Sequence, residues 1–322
     1  MTILITPDSF KGTYTAAQVA AHIAQGVRAG GQKAVEQPVA DGGEGTYEIL
    51  RQTMDATPIS VDTFGPWHDP VRAIYAMTRD GTAVIELASA SGLTLPAPRG
   101  RDPLTADTYG TGRLLTHAVE HGARHIVLAA GGSATTDGGA GAIAAIEEHG
   151  GLRDAQVTIL SDVTTPFENA AVVFGPQKGA DSDQVRTLTA RLHAQAAAYP
   201  RDPRGVPRTG AAGGFSGGMW AWYGAQLVSG ADFVLDAVSF DKKASDAAAI
   251  VVGEGRLDSQ TGEGKVISAI LARSVDIPVY AVVGSIDAQL GKYAENFAGI
   301  FVASEAEMMT EAGEFIANQI NV

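Results

Sequence analysis

The sequence predicts an α/β protein of two domains, in which an inserted α/β domain with a mixed sheet interrupts a flavodoxin-like doubly wound parallel sheet. Two observations support this. At both ends of the 322-residue chain, short apolar runs alternate with amphipathic helical patterns, which is typical of a parallel sheet covered by helices. In the middle, three strand candidates follow one another without a helix, which indicates antiparallel pairing. The predicted domains are 1–55 with 245–322, and 56–244.

The first four elements alternate between strand and helix. Residues 2–6 are apolar and end at a proline, as a buried strand does. A helix is predicted over 15–29, with Thr15 as its N-cap and apolar side chains every four residues along one face. A strand at 34–40 and a helix at 46–54 complete this βαβα opening.

The later elements are predicted from the same signals. The strand candidates of the insert are 59–64, 71–77 and 83–87, the last two joined by an Asp-Gly turn signal. The elements that follow are helix 105–121, strand 125–129, helix 138–148, strand 157–161, helices 182–198 and 212–227, strand 249–252, helix 264–274, strands 278–283 and 299–302, and helix 304–319. The five strands of the two terminal segments would form the parallel sheet.

Composition and charge exclude several classes of function. The chain has 23 Lys and Arg against 36 Asp and Glu, a formal net charge of −13, which argues against nucleic acid or an anionic membrane as the partner. It contains no cysteine, so disulfides, thiolate metal sites and a cysteine nucleophile are excluded. Because the amino terminus lacks the basic region of a signal peptide and no apolar run reaches membrane-spanning length, a cytoplasmic location is expected.

Five glycine-rich polar loops carry the residue types that chemistry needs. They span 7–12, 41–46, 131–139, 175–179 and 253–265. Glycines let a backbone approach a ligand closely, and N–H groups at the start of a helix bind anions. Most of these loops follow a predicted strand, where doubly wound sheets bind their ligands. We interpret the five loops as parts of one active site.

Neither common nucleotide-binding motif is present. Gly264-Lys265 lacks the glycine spacing and the following hydroxyl of a Walker A sequence. The stretch from Gly253 is close to a dinucleotide-binding fingerprint, but Asp258 takes the place of the third glycine. An acid at that position would crowd a pyrophosphate, so NAD binding is disfavoured.

Six strings together resemble the type I glycerate kinase family, in the same order and over nearly the whole chain. They are PDSFKG at 7–12, ADGGEGT at 40–46, YGTG at 109–112, the glycine-rich stretch 131–139, FGPQKGA at 174–180 and GEGRLD at 253–258. The resemblance implies ATP-dependent phosphorylation of D-glycerate with ATP and Mg²⁺. It favours 2-phosphoglycerate as the product, with 3-phosphoglycerate as the alternative. It also implies the two-domain fold and small-molecule ligands. The oligomeric state is left open, a homodimer included.

Phosphoryl transfer needs cations and backbone N–H groups on the phosphates, an acid that holds Mg²⁺ and a group beside the attacking hydroxyl. Catalytic roles are therefore assigned to Lys11, Asp8, Arg256 and Asp258. Substrate or nucleotide binding is assigned to Ser9, Asp41, Gly42, Gly43, Glu44, Gly132, Ser133, Thr135, Gly138, Lys178, Glu254 and Lys265. Metal binding is assigned to Asp137 and Asp162.

Most of these assignments have a structural alternative. Lys11 can be a solvated loop lysine, and an aspartate such as Asp8 or Asp162 can cap a helix or a turn. Arg256 and Asp258 can form an internal ion pair. Two other functions also stay open. One is a non-catalytic small-molecule binding or sensor protein on the same fold. The other is a different Rossmann-like enzyme, such as a sugar-phosphate isomerase or a dehydrogenase.

Overall fold

The computed structural model of the chain describes residues 1–98, 100–257, 266–287 and 290–320. Within them the strands are β1 (Thr2–Pro7), β2 (Lys33–Glu36), β3 (Thr57–Phe64), β4 (Pro70–Met77), β5 (Thr82–Glu86), β6 (His125–Ala129), β7 (Gln156–Leu160), β8 (Gln226–Val228), β9 (Ala249–Glu254), β10 (Val279–Val283) and β11 (Gly299–Val302).

The α-helices are α1 (Ala16–Ala29), α2 (Thr46–Thr53), α3 (Ala88–Ser91), α4 (Tyr109–Glu120), α5 (Ala140–Glu148), α6 (Ala170–Phe174), α7 (Ser182–Ala198), α8 (Phe215–Tyr223), α9 (Gly230–Ala237), α10 (Phe240–Ala244), α11 (Val266–Arg273) and α12 (Ala306–Ile320). Short 3-10 helices lie at Phe167–Asn169, Pro176–Lys178 and Gly291–Asn296. None of the helices in the described ranges is both long and apolar enough to cross a bilayer.

The chain divides into two compact units. The terminal unit joins Met1–Ile49 to the chain from Ala231 onward, and the inserted unit is Leu50–Gly230. The predicted boundaries, at 55/56 and 244/245, lie further along the chain at both junctions. At the second junction the difference corresponds to α9 and α10, two helices that the sequence did not predict.

The terminal unit is built on a parallel sheet with the strand order β2-β1-β9-β10-β11. When the five strands of this sheet are numbered in chain order, their spatial order is 2-1-3-4-5, the strand order of flavodoxin-like folds. Its central strands are fully buried because helices cover both faces of such sheets, so they read as continuous apolar runs. The predicted fold class is confirmed.

The inserted unit is built on a mixed sheet with the order β3-β4-β5-β6-β7-β8. The first three strands are antiparallel neighbours, and the strands from β5 to β8 are parallel. The helix predicted over 212–227 was too long. It ends at Gly224, whose left-handed backbone terminates α8, and β8 follows. Because apolar residues continue through both elements, the sequence does not show where the helix ends and the strand begins.

Helix α1 begins where the sequence predicts. Thr15 Oγ1 accepts the N–H of Gln18 at 3.2 Å, and Gln18 Oε1 accepts the N–H of Thr15 at 2.9 Å, which together form a capping box. The apolar face of α1 is buried against β1, β9 and α12 in the core of the terminal unit.

Two glycines allow α1 and α12 to touch through their backbones. A Cβ at Gly26 would lie 1.8 Å from the carbonyl oxygen of Thr310, and one at Gly313 would lie 2.2 Å from that of Ile23. A hydrogen bond from Thr310 Oγ1 to the carbonyl of His22, at 3.2 Å, joins the same surfaces.

We predict that Gly26→Ala lowers the free energy of unfolding of the terminal unit by about 3 kcal/mol, because backbone atoms cannot move away from the added methyl group. Urea titration would measure the change. Gln25→Ala, an exposed position on the same helix, is the control and should change the midpoint little. Equal urea midpoints for the two variants would contradict the prediction, because they would show that α1 and α12 can move apart without loss of stability.

Candidate active site

A pocket of about 530 Å³ opens at the carboxyl ends of the parallel strands of the terminal unit. It is lined by Asp8, Ser9, Phe10, Lys11, Thr13, Asp41, Glu254, Gly255, Arg256, Val266, Gly284, Ser285, Ser304 and Glu305. The segments that follow β1, β9, β10 and β11 all contribute to this lining. Doubly wound sheets bind their ligands at this edge.

Asp8 is the buried acid of the pocket. It follows β1 and is 8% exposed. Its N–H donates to the carbonyl of Gly253 at 2.8 Å, and its Oδ1 accepts the N–H of Ser9 at 2.6 Å. Burial, and then the charge of Asp41, raise its pKa to about 8, although the Ser9 N–H and Lys11 act in the opposite direction. Asp8 therefore keeps its proton to a higher pH than an exposed aspartate does.

Lys11 lies in a closed turn between β1 and α1. The N–H of Phe10 donates to the carbonyl of Tyr14 at 2.9 Å, and that of Thr13 donates to the carbonyl of Phe10 at 2.8 Å. The Phe10 ring is buried in the core of the terminal unit and anchors the turn. Lys11 itself is exposed, so its ammonium is available to an anion in the pocket.

The segments that follow β9 and β10 are hydrogen-bonded to each other. The N–H of Gly284 donates to the carbonyl of Glu254 at 3.1 Å, and that of Leu257 donates to the carbonyl of Ser285 at 2.9 Å. Gly284 approaches so closely that a Cβ there would lie 2.6 Å from the carbonyl oxygen of Gly255. This pairing fixes the position of both segments in the pocket wall.

Arg256 is exposed, and its Nη2 donates to Asp287 Oδ2 at 3.0 Å. The sequence offered Asp258 as the ion-pair partner, but Asp258 and Lys265 lie outside the described residues. An exposed pair of this kind contributes little stability. A guanidinium has five N–H donors, so one bond to Asp287 leaves others for a carboxylate or a phosphate.

The loop after β2 brings one predicted residue to the pocket. Asp41 lines it, and its Oδ1 accepts the N–H of Gly43 at 2.9 Å. Gly42, Gly43 and Glu44 form the turn that leads into α2, and Glu44 is exposed. The side chain of Asp41 thus stabilises this turn at the pocket wall.

The remaining predicted residues lie in the inserted unit. The loop between β6 and α5 contains Gly132, Ser133, Thr135, Asp137 and Gly138. Gly132 is exposed, but the loop from Ser133 to Gly139 is buried. The sequence suggested an open phosphate cradle here, and the structure shows a loop whose groups are largely enclosed by protein.

Lys178 is also buried, and it binds this loop. Its Nζ donates to Ser133 Oγ at 2.8 Å and to the carbonyl of Thr135 at 2.6 Å. Burial lowers the pKa of its ammonium to about 7. Gln195 and Tyr199 hold the next part of the loop, donating to the carbonyls of Asp137 and Gly138, each at 2.9 Å.

The two predicted metal ligands cap helices. Asp137 is buried, and its carboxylate accepts bonds from the N–H and Oγ1 of Thr108 and from the N–H groups of Gly139 and Gly141 at the start of α5. Asp162 Oδ1 accepts from Ser229 Oγ and from the N–H of Gly230 at the start of α9. These contacts disfavour metal binding by Asp137. The described part of the chain contains no group of three or more acids or histidines suited to a metal ion.

Several pocket residues were not predicted. They are Phe10, Thr13, Gly255, Val266, Gly284, Ser285, Ser304 and Glu305. The segments 284–285 and 304–305 come just after apolar strands of the parallel sheet. That position alone could have indicated that they line the ligand site. Neither has the repeated glycines by which the other loops were recognised.

The pocket at the carboxyl edge of the flavodoxin-like sheet, with a buried acid and two exposed cations among its polar residues, is suited to a small polar ligand. Comparison with known proteins identifies the family. The model of the "Glycerate kinase family" matches residues 3–149 and 147–320. The chain is 38% identical to a glycerate kinase of Bacillus subtilis (strain 168), over 89% of this chain and 85% of that protein. It is 35% identical to a glycerate 2-kinase of Escherichia coli (strain K12), over 90% and 87%.

A solved structure gives the same result. The crystal structure assigned as glycerate kinase 2 from Salmonella typhimurium LT2 matches with a TM-score of 0.84 at 32% identity, over 100% of this chain and 98% of that one. The chain therefore belongs to the glycerate kinase family, and its class is that of a kinase.

We predict that Asp8→Asn stabilises the protein increasingly as the pH rises from about 4 to about 8, and by a constant amount above that. The folded state binds the Asp8 proton more tightly than the unfolded state, so ionising this buried carboxyl disfavours folding over that range. Thermal unfolding across the pH range would measure the effect. Asp246→Asn, at an exposed position of the same unit, is the control. A pH-independent difference would contradict the burial of an acid with a raised pKa.

Proposed function

We propose that the protein transfers the γ-phosphoryl group of ATP to the 2-hydroxyl of D-glycerate, giving 2-phosphoglycerate and ADP. Family membership supports the use of ATP and of glycerate. The observation that carries the proposal is the pocket of the terminal unit, in which a buried acid, Asp8, lies on the same loop as the cation Lys11 and shares the pocket with Arg256. Glycerate offers one carboxylate for the cations and hydroxyls for the acid.

In this proposal Lys11 and Arg256 bind the glycerate carboxylate, and Asp8 accepts the proton of the attacking hydroxyl. A general base must be ionised to act, yet must also bind the proton firmly, so a pKa near the working pH is favourable. Burial and Asp41 provide this by raising the pKa of Asp8 to about 8. Ser9, Ser285 and Ser304 line the same pocket and offer hydrogen bonds to the other substrate oxygen atoms.

The nearness of Lys11 to Asp8 along the chain supports the 2-hydroxyl as the acceptor. In glycerate the 2-hydroxyl is on the carbon next to the carboxylate, and the 3-hydroxyl is one carbon further away. Lys11 is three residues after Asp8, and its charge acts on the Asp8 carboxyl. A carboxylate held by Lys11 therefore favours the nearer hydroxyl at Asp8.

Mg²⁺ is included in the proposal because it accompanies ATP. It prefers oxygen ligands and commonly takes one or two protein carboxylates together with phosphate oxygens and water. Asp41 and Glu254 are pocket acids of this type, and both raise the pKa of Asp8 through their negative charge. The metal, when bound, would neutralise charge on the transferred phosphoryl group.

We predict that Asp8→Asn lowers glycerate-dependent ADP release by about 10²–10⁴-fold, the usual contribution of a positioned general base. A coupled ADP assay with ATP, Mg²⁺ and D-glycerate measures it, and Asp246→Asn is the control.

Phosphorus NMR of the product tests which hydroxyl is the acceptor, since one proton splits the signal of a phosphate on carbon 2 and two protons split that of a phosphate on carbon 3. A wild-type protein without glycerate-dependent turnover would refute the proposed function.

We also predict that Asp41→Asn moves the rising limb of the pH profile of kcat/KM to lower pH. This limb reports ionisation of Asp8 in the free enzyme, and the negative charge of Asp41 raises the pKa of Asp8. Glu305→Gln, which removes a pocket acid that follows a different strand, is the matched control and should move the limb less. An unchanged limb in Asp41→Asn would remove Asp8 from the role of base.

A further inference from the structure

The inserted unit contains a buried cation that the pocket of the terminal unit does not use. The Lys178 side chain is almost fully buried, with 7% of the residue exposed. Within the described residues no carboxylate lies within ion-pair distance of its ammonium. The acid whose charge acts on it, Asp137, is already bonded to Thr108, Gly139 and Gly141. A buried charge without a counter-charge is unfavourable.

Some hydrogen-bond donors around Lys178 also have no acceptor among the described residues. An ammonium has three N–H donors, and the described residues supply two acceptors, Ser133 Oγ and the Thr135 carbonyl. While Lys178 is charged, its ammonium can only donate to Ser133 Oγ, so the Ser133 hydroxyl proton must then point to another acceptor. The hydroxyl of Thr135 is buried without any partner. Buried polar groups of native proteins are nearly always bonded, so this surplus needs an explanation.

We propose that Ser133 and Lys178 form an anion subsite in the inserted unit and that its ligand is a phosphoryl oxygen of the nucleotide. One oxygen can accept both the third ammonium proton and the Ser133 hydroxyl proton, which supplies the missing counter-charge. Burial lowers the pKa of Lys178 to about 7, which supports this, since the charge lacks compensation in the protein alone.

The segment just before Ser133 is open to solvent, although Ser133 and the rest of the loop are buried. Ser133 follows Gly131 and Gly132, which have no side chains, and Gly132 is exposed. Beyond Ser133 the loop is fixed by Lys178, Gln195 and Tyr199 through three of its carbonyls. The subsite is therefore held in place before a ligand binds, which favours affinity. The nucleotide as the source of the anion rests on the proposed kinase activity, whereas the anion subsite itself does not.

The test compares Lys178→Met and Ser133→Ala with Tyr199→Phe. The Tyr199 variant also removes a donor to this loop but changes no charge. In the full-length enzyme we expect Lys178→Met to raise the KM for ATP by about 10-fold or more, the usual effect of losing a charge-assisted hydrogen bond. Ser133→Ala should raise it less. The KM for D-glycerate should stay within about twofold, as should both constants in the surface control Lys242→Met, and Tyr199→Phe should raise the KM for ATP much less than Lys178→Met. Thermal unfolding checks that each variant is folded.

A second measurement does not need the kinase activity. Sulfate, used as the probe, should bind to the wild-type protein and to Lys242→Met in calorimetry, and several-fold more weakly to Lys178→Met and Ser133→Ala. If ATP turnover is absent but this pattern holds, the proposed function fails and the anion subsite stands. Sulfate and ATP constants that are equal in wild type and Lys178→Met would overturn the subsite, and so would a Tyr199→Phe defect as large as that of Lys178→Met. If Lys178→Met does not fold, Ser133→Ala decides between the same outcomes.

Discussion

The burial of the parallel strands on both faces is the constraint on which the terminal unit depends. Strands such as β1 and β9 have almost no exposed surface, so their side chains are nearly all apolar, and the buried Thr6 lies near the end of β1. Polar residues are therefore confined to the strand ends, and parallel direction brings all the carboxyl ends to one edge. The pocket with Asp8, Glu254 and Arg256 lies at that edge for this reason.

The same constraint explains how much of the fold the sequence reveals. Short apolar runs bounded by polar loops made the strands of the flavodoxin-like sheet predictable, and the Thr15 cap marked the start of α1. Where α8 meets β8 there was no such contrast, because apolar residues continue through Gly224 and only the backbone conformation separates the two elements. Helices α9 and α10 were missed, and α10, with five residues, is too short to show a helical periodicity.

Part of the candidate site was predictable from residue chemistry together with position after a strand. Asp8 and Lys11 follow a strand, and the structure places both in the pocket. Asp137 shows the limit of this reasoning. An acid followed by glycines before a helix fits a metal ligand and a helix cap equally well in sequence, and only the bonds to Thr108 and Gly141 distinguish them. Ser304 and Glu305 lacked a glycine signal, so their place in the pocket depends on the strand order alone.

Charge balance in the pocket bears on the form in which a phosphoryl donor is used. Among the described residues its lining contains four acids and two cations, namely Asp8, Asp41, Glu254 and Glu305 with Lys11 and Arg256. Even with Asp8 protonated, the acids among these described residues outnumber the cations, so a free triphosphate would be repelled more strongly than the single carboxylate that the proposed function places at Lys11 and Arg256. A divalent ion between acids and phosphate turns this repulsion into attraction. Within the proposed function, the acidity of these residues is therefore a reason for the nucleotide to bind as a metal complex and for the acceptor to be a small anion.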